Sequence, residues 1–180
     1  MYCNFAFYMG GTRENVADLA AFEKLPGCAG IKVFMGSSTG ELLVEDDEGV
    51  ASILAQTNRR AAFHSEDEFR LRQRTGEQIA GNPASHSIWR DAEAARLCTE
   101  RLIRIARRTG KRIHVLHVST AEEMPLLAAN KDVATVEVTP HHLTLSSDDY
   151  AKLGTLMQMN PPVRATEHQR AIWHALQSGV

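Results

Sequence analysis

Gly30-Ile31-Lys32-Val33-Phe34-Met35-Gly36-Ser37-Ser38-Thr39-Gly40 reads as an apolar strand running into a Gly/Ser/Thr turn, with one lysine inside the strand. On a period of two, Ile31, Val33 and Met35 share one face and Lys32 and Phe34 the other. Flanking apolar residues make both faces look buried. A buried ammonium needs a reason, because unpaired it costs several kcal/mol, roughly, or sheds its proton. A neutral lysine amine can take up carbon dioxide and become a carbamate, an anionic oxygen donor able to bridge two metal ions. That reading demands histidines on neighbouring strands.

Two more short apolar runs supply them. Ala61-Ala62-Phe63-His64-Ser65-Glu66 and Arg112-Ile113-His114-Val115-Leu116-His117-Val118-Ser119-Thr120 each place a histidine, His64 or His117, at the C-terminal end of a strand, where parallel α/β folds carry their chemistry. One strand-end histidine by itself reads as a core residue hydrogen-bonded to backbone. Lys32, His64 and His117 follow in order, one βα unit apart; neutral imidazoles and a bridging oxygen anion would suit a pair of zinc-like ions, and the ligand and core readings both stand open. His114 has the opposite parity to His117 and is expected to pack toward the helix layer.

Working outward, strands alternate with helices. Asn4 to Met9 is a strand closed by Gly10-Gly11, and Thr12 is expected to cap a helix carrying Val16, Leu19, Ala20 and Glu23. The lysine strand follows at 29–35. Glu45-Asp46-Asp47-Glu48 place acid at the start of a helix with Val50, Ile53, Leu54 and Thr57, where it suits the positive end of the dipole and reads as a solvated face. After the His64 strand come a polar segment, Glu66 to Arg74, and a long loop through Gly81-Asn82-Pro83-Ala84-Ser85-His86.

Ala95, Cys98, Leu102 and Ile105 mark a strong helix that Gly110 stops. The third histidine strand spans 112–118, Thr120 and Glu123 form a capping box for a helix through Met124, Leu127 and Ala128, and 133–138 is a fifth strand. Ser146 to Leu153 is a short helix, and Thr166 with Gln169 is expected to cap a last one through Ile172 and Leu176. Five βα units with right-handed crossovers make a parallel sheet, either open or part of a closed barrel. A whole eight-unit barrel takes ~250 residues, so 180 residues fall short of one.

Composition excludes several classes. With 43% hydrophobic residues the chain can bury one substantial core, and residues 1–180 read as a single domain. A net charge of -2, with 20 basic and 22 acidic residues interspersed, offers no field for nucleic acid or an anionic membrane. No apolar run nears the ~20 residues that span a bilayer, and a cytoplasmic protein is expected. Cys3, Cys28 and Cys98 are odd in number and widely spaced, and read as buried, reduced thiols.

These three strands, together with Thr139-Pro140-His141-His142-Leu143 and Met159-Asn160-Pro161-Pro162-Val163-Arg164, closely resemble the dihydroorotases of the amidohydrolase superfamily almost from end to end of the chain. The resemblance implies a distorted (β/α)8 TIM-type barrel, of which the third to seventh units are present. It implies dihydroorotase activity, the reversible opening of (S)-dihydroorotate to N-carbamoyl-L-aspartate in pyrimidine biosynthesis. It also implies two zinc ions bridged by carbamylated Lys32 and held by His64 and His117, and an Asn160 that contacts substrate.

By the same resemblance His141 and His142 are structural or lie behind the ligands. Arg164 is expected to be solvated or in a local salt bridge rather than on a substrate carboxylate, and His86, His168 and His174 to lie at the surface. Family members carry a His-x-His pair at their first strand and a proton-shuttling aspartate after their eighth. The chain has no His-x-His, and the aspartate would fall beyond Val180, so it looks like an internal fragment or a truncated homologue, inactive alone. Hydantoinases and allantoinases share the metal plan and are the enzyme alternative. A non-catalytic partner of aspartate transcarbamoylase is the other reading, and a homo-oligomer is expected.

Overall fold

A computed structural model describes residues 2–36 and 40–180; Ser37, Ser38 and Thr39, the polar turn after the lysine strand, lie outside the described residues. The first strand is β1 (Phe7–Gly10), followed by a short helix α1 (Leu19–Phe22). Thr12 does not cap a helix. It closes a turn with Asn15, whose side chain accepts from the Thr12 amide at 2.9 Å.

The lysine strand is β2 (Cys28–Phe34), and α2 (Asp47–Gln56) follows with Asp46 as its cap, accepting from the Gly49 amide at 2.9 Å. The acidic run ahead of α2 is not simply solvated: Glu45 meets Arg72, Asp46 meets Arg13, Asp47 meets Arg101 and Arg104, and Glu48 meets Arg108.

Strand β3 (Ala61–His64) is buried throughout. The polar segment behind it folds as a helix, α3 (Glu68–Arg74), because Asp67 caps it and Leu71 reaches the core. After the long loop, α4 (His86–Trp89) leads into α5 (Ala92–Thr109), capped by Asp91 and stopped by Gly110 at φ 66°. Strand β4 (Ile113–Val115) is shorter than the 112–118 expected, and α6 (Glu123–Ala128) and β5 (Ala134–Val136) follow.

Pro140 starts a helix, α7 (Pro140–Thr144), that the sequence pattern did not announce. Helices α8 (Tyr150–Leu153) and α9 (Thr166–Ser178) complete the described chain. Ala165, not Thr166, is the cap of α9, and Gln169 donates to the Leu145 carbonyl instead.

The five strands lie side by side in sequence order and all run parallel, the pattern right-handed βαβ crossovers give. Register decides which side each residue serves. Ile31, Val33, Met35, Phe63, Ile113 and Val115 are all buried on one side against α2 and α5, where Ile53, Leu54, Cys98 and Leu102 complete the core. The opposite side carries the row Gly10, Lys32, Ala62, His114 and Thr135 across the sheet. It is half-buried at Lys32, Phe34 and His114 rather than sealed, since no helix covers it among the described residues.

His114 therefore does not face the helices. It bonds Thr135 Oγ1 through Nδ1 at 2.8 Å on the lysine side. Of the three thiols only Cys98 is buried, 3.9 Å from the Met35 sulfur, and burial pushes it up to about 12; Cys3 is exposed.

Candidate functional site

The site lies where β2, β3 and β4 end. Lys32 sits two residues from the end of β2, and its Nζ lies 4.6 Å from the centre of the Phe34 ring. Burial lowers its pKa to about 8 against the opposing pull of Glu137, so the amine gives up its proton far more readily than a surface lysine.

His64, the last residue of β3, pairs with Phe34 in register and stacks on it at 5.9 Å between centroids. Past β4 the ladder continues, with Leu116 bonded to Phe63 and Val118 to Glu137. Between them the chain turns through φ 39° at His117. That left-handed turn overrides the parity of a regular strand and swings the ring to within 4.8 Å of His64, edge to face. It is why His117 and His114 share a side of the sheet.

His117 is held neutral. Burial first, then the neighbouring His64 and Lys32, push its pKa down to about 3, and its Nδ1 is buried without a partner among the described residues. Lys32, His64 and His117 thus lie on or just past three adjacent strands, near their C-terminal ends. Among the described residues no three His, Cys, Asp or Glu side chains gather at metal-binding distance. The donors present are two imidazoles and one amine of lowered basicity, which fits part of a zinc-type ligand set.

Behind this trio stands a buried ion network that sequence reasoning missed. Glu66 is fully buried, accepting from His64 Nε2 at 2.7 Å and from the Arg90 guanidinium. Burial alone would push its carboxyl up; the His64 hydrogen bond and Arg90 overcome that and hold it well below the carboxylate range. Nothing in Glu66-Asp67-Glu68 marks the first acid as fully buried and the third as half-buried; only the turn after β3 does.

Arg164 is 5% exposed and not solvated: Nε donates to Ser119 Oγ at 3.0 Å and Nη1 to the Arg90 carbonyl at 2.7 Å. A second polar chain links Ser65, Thr99, Glu123 and Thr120, each contact between 2.6 and 2.8 Å.

Asn160 stands exposed at the tip of a loop whose root, 161–164, is buried. Its Oδ1 and the Met159 carbonyl both lie within 3.1 Å of His86 Nε2, which makes His86 half-buried rather than a surface residue. His168 is likewise half-buried, accepting from the Ala121 amide, and His174 is exposed. His142 is structural. Burial lowers its pKa to about 4, and it donates to the Pro161 carbonyl while taking the Thr139 hydroxyl on its other nitrogen.

No family model matches the chain. It is 34% identical to the dihydroorotase of Halobacterium salinarum over 155 residues, which cover 82% of the chain and 35% of that protein. It is 31% identical to the allantoinase of Streptomyces avermitilis over 188 residues, covering 99% of the chain and 41% of that protein. The chain belongs to the cyclic amidohydrolases. Its fold is that of the L-hydantoinase from Arthrobacter aurescens, with a TM-score of 0.88 over 98% of the chain and 41% of that structure at 24% identity. This amidohydrolase chain spans well under half the length of the curated relatives it matches. Further relatives from archaea and bacteria bear the name dihydroorotase.

Proposed function

We propose that this chain forms the central βα units of a dihydroorotase barrel, in a longer protein that opens dihydroorotate to N-carbamoyl aspartate in the cytoplasm as part of pyrimidine biosynthesis. The observation that carries the reading is the meeting of Lys32, His64 and His117 at three adjacent strand ends, with His64 and His117 in ring contact. Lys32, as its carbamate, would bridge two zinc ions, with His64 and His117 as further ligands. Bound there, the ions would supply a hydroxide near neutral pH and an electrophile for the amide carbonyl.

The rest is the work of this chain. The lowered basicity of Lys32 leaves part of the amine unprotonated and open to carbon dioxide near pH 8. His117 stays neutral with a lone pair to offer. Glu66 fixes the His64 ring from behind, and Asn160, exposed at its loop tip, is the residue we assign to substrate.

An allantoinase or hydantoinase reading is favoured by the likeness to the Streptomyces allantoinase, which covers nearly the whole chain. We assign no oligomer; aspartate transcarbamoylase is the partner to test by co-elution. The deciding experiment uses the protein read through both ends of its gene and purified with zinc. Ring opening is expected fastest on dihydroorotate, with zinc bound, and Lys32→Ala should lose both zinc and, through the several kcal/mol a metal contributes, on the order of a thousandfold in rate. Faster opening of allantoin or hydantoin would transfer the assignment. A zinc-free protein inert on all three rings would overturn it.

A further inference from the structure

The loop that carries Asn160 is anchored at its root. Pro161, Pro162, Val163 and Arg164 are all buried, while Asn160 is not. Val163 packs with Tyr150 and Met157 in a small core of its own, and the Arg164 carbonyl accepts from the Ser147 amide at 2.8 Å. Packing and backbone bonds of this kind would suffice to hold a loop. They do not explain a guanidinium 5% exposed at its base, since burying a charge is costly.

What the guanidinium touches explains it. Its Nε donates to Ser119, two residues beyond His117. Its Nη1 donates to the carbonyl of Arg90, the residue whose own side chain grips Glu66, which in turn holds His64. One side chain therefore ties three segments that are far apart in sequence: the loop tipped by Asn160, the turn after β4 and the ion network behind the end of β3.

We infer that Arg164 is a positioning residue that keeps Asn160 in register with His64 and His117. The planar fork is what the place requires, since it reaches a hydroxyl and a carbonyl in different directions at once, which a lysine cannot do with fixed geometry. The inference rests on the functional reading above for the meaning of that register, but the tie itself can be measured without activity.

The test compares wild type, Arg164→Lys and Ser119→Ala in the full protein with zinc, by hydrogen–deuterium exchange and by steady-state kinetics on the ring it opens best. Ser119→Ala removes one bond and leaves the charge, so it answers the question if the lysine variant does not fold. The expected result is faster exchange in segment 157–164 and at 116–120, with α2 unchanged, together with a KM raised roughly tenfold and kcat held within about threefold, the signature of lost substrate positioning.

Unchanged exchange in 157–164 would overturn the inference. So would a rise spread evenly over the chain, or a local rise with KM unmoved, because either would leave Arg164 as packing alone. If wild type opens no cyclic amide, the functional reading fails, and the exchange data still decide whether Arg164 ties the three segments.

Discussion

His64 and Glu66 share a hydrogen bond of 2.7 Å where neither side chain meets solvent. A carboxylate accepts, so the proton lies on Nε2 and a neutral His64 ring keeps its lone pair on Nδ1. The same carboxylate neutralises Arg90, itself buried. Truncating Glu66 therefore strands a guanidinium in the interior, a change that destabilises by about 3–5 kcal/mol where no water can follow. Glu66→Ala is expected to lower stability by that amount in denaturant titration, and Glu66→Gln, which keeps an acceptor, by less. Equal losses for the two would mean that shape rather than charge holds the network.

Gly36 presents a tighter constraint just after the lysine strand. A Cβ there would collide with the Glu66 carbonyl oxygen and lie 3.0 Å from its carbon, and both are backbone atoms that no rotamer change can move. Gly36→Ala has to push β2 and β3 apart at the end where Lys32 and His64 sit. Overpacking of this kind costs about 1–3 kcal/mol. Thermal unfolding should show a lower Tm, and zinc binding should weaken with it; a wild-type Tm would show that the turn can shift freely.

Much of this was written in the sequence, and what was not has physical reasons. Alternation in Ile31 to Met35 and the apolar spacing of α5 are periodic signals, so strands, helices and the parallel order could be read from them. The placement of Lys32, His64 and His117 near the ends of neighbouring strands was legible because a polar residue inside an apolar run is itself a signal. The sidedness of His114 was not legible, since period-two parity assumes a strand that continues, and β4 ends at Val115 before the left-handed turn at His117. Nor were Glu66, Arg90 and Arg164, which look like ordinary surface charges until three distant segments fold over them. The composition of a charged residue says nothing about its burial.

Glu123 supplies a pH dependence. Burial raises its pKa, against hydrogen bonds from Thr99 and Thr120 that favour the anion. A carboxyl with its folded pKa above the unfolded one contributes stability that is fully present below the unfolded value and is lost as pH rises through the folded value. From near 4.5 upward, the folded state should weaken as Glu123 is forced to ionise. Glu123→Gln keeps the shape and removes the ionisation. It should be less stable than or equal to wild type at pH 4, then overtake it as pH rises toward neutrality, in parallel denaturant titrations. Curves that stay parallel across this range would show that the anion is fully satisfied by its hydroxyl partners.

His117 sets function against stability. Its φ of 39° places a residue with a Cβ in the left-handed region, where most side chains are disfavoured by ~1 kcal/mol or more. Its Nδ1 is buried without a partner among the described residues, an added cost, and burial together with His64 and Lys32 makes a charged ring unfavourable until the pH falls to about 3. Among the described residues no hydrogen bond holds that ring nitrogen, and the left-handed turn brings the ring against His64. Asparagine tolerates the left-handed region better than histidine does and removes the stranded ring nitrogen. His117→Asn is therefore expected to fold with equal or greater stability, by about 0.5–1 kcal/mol, while losing zinc and ring-opening activity, as residues kept strained for a ligand do. Denaturant titration of the metal-free protein and zinc content read the two effects separately. A variant that kept its zinc would remove His117 from the ligand set, and one that lost stability instead would make the turn a folding requirement and His117 a structural residue.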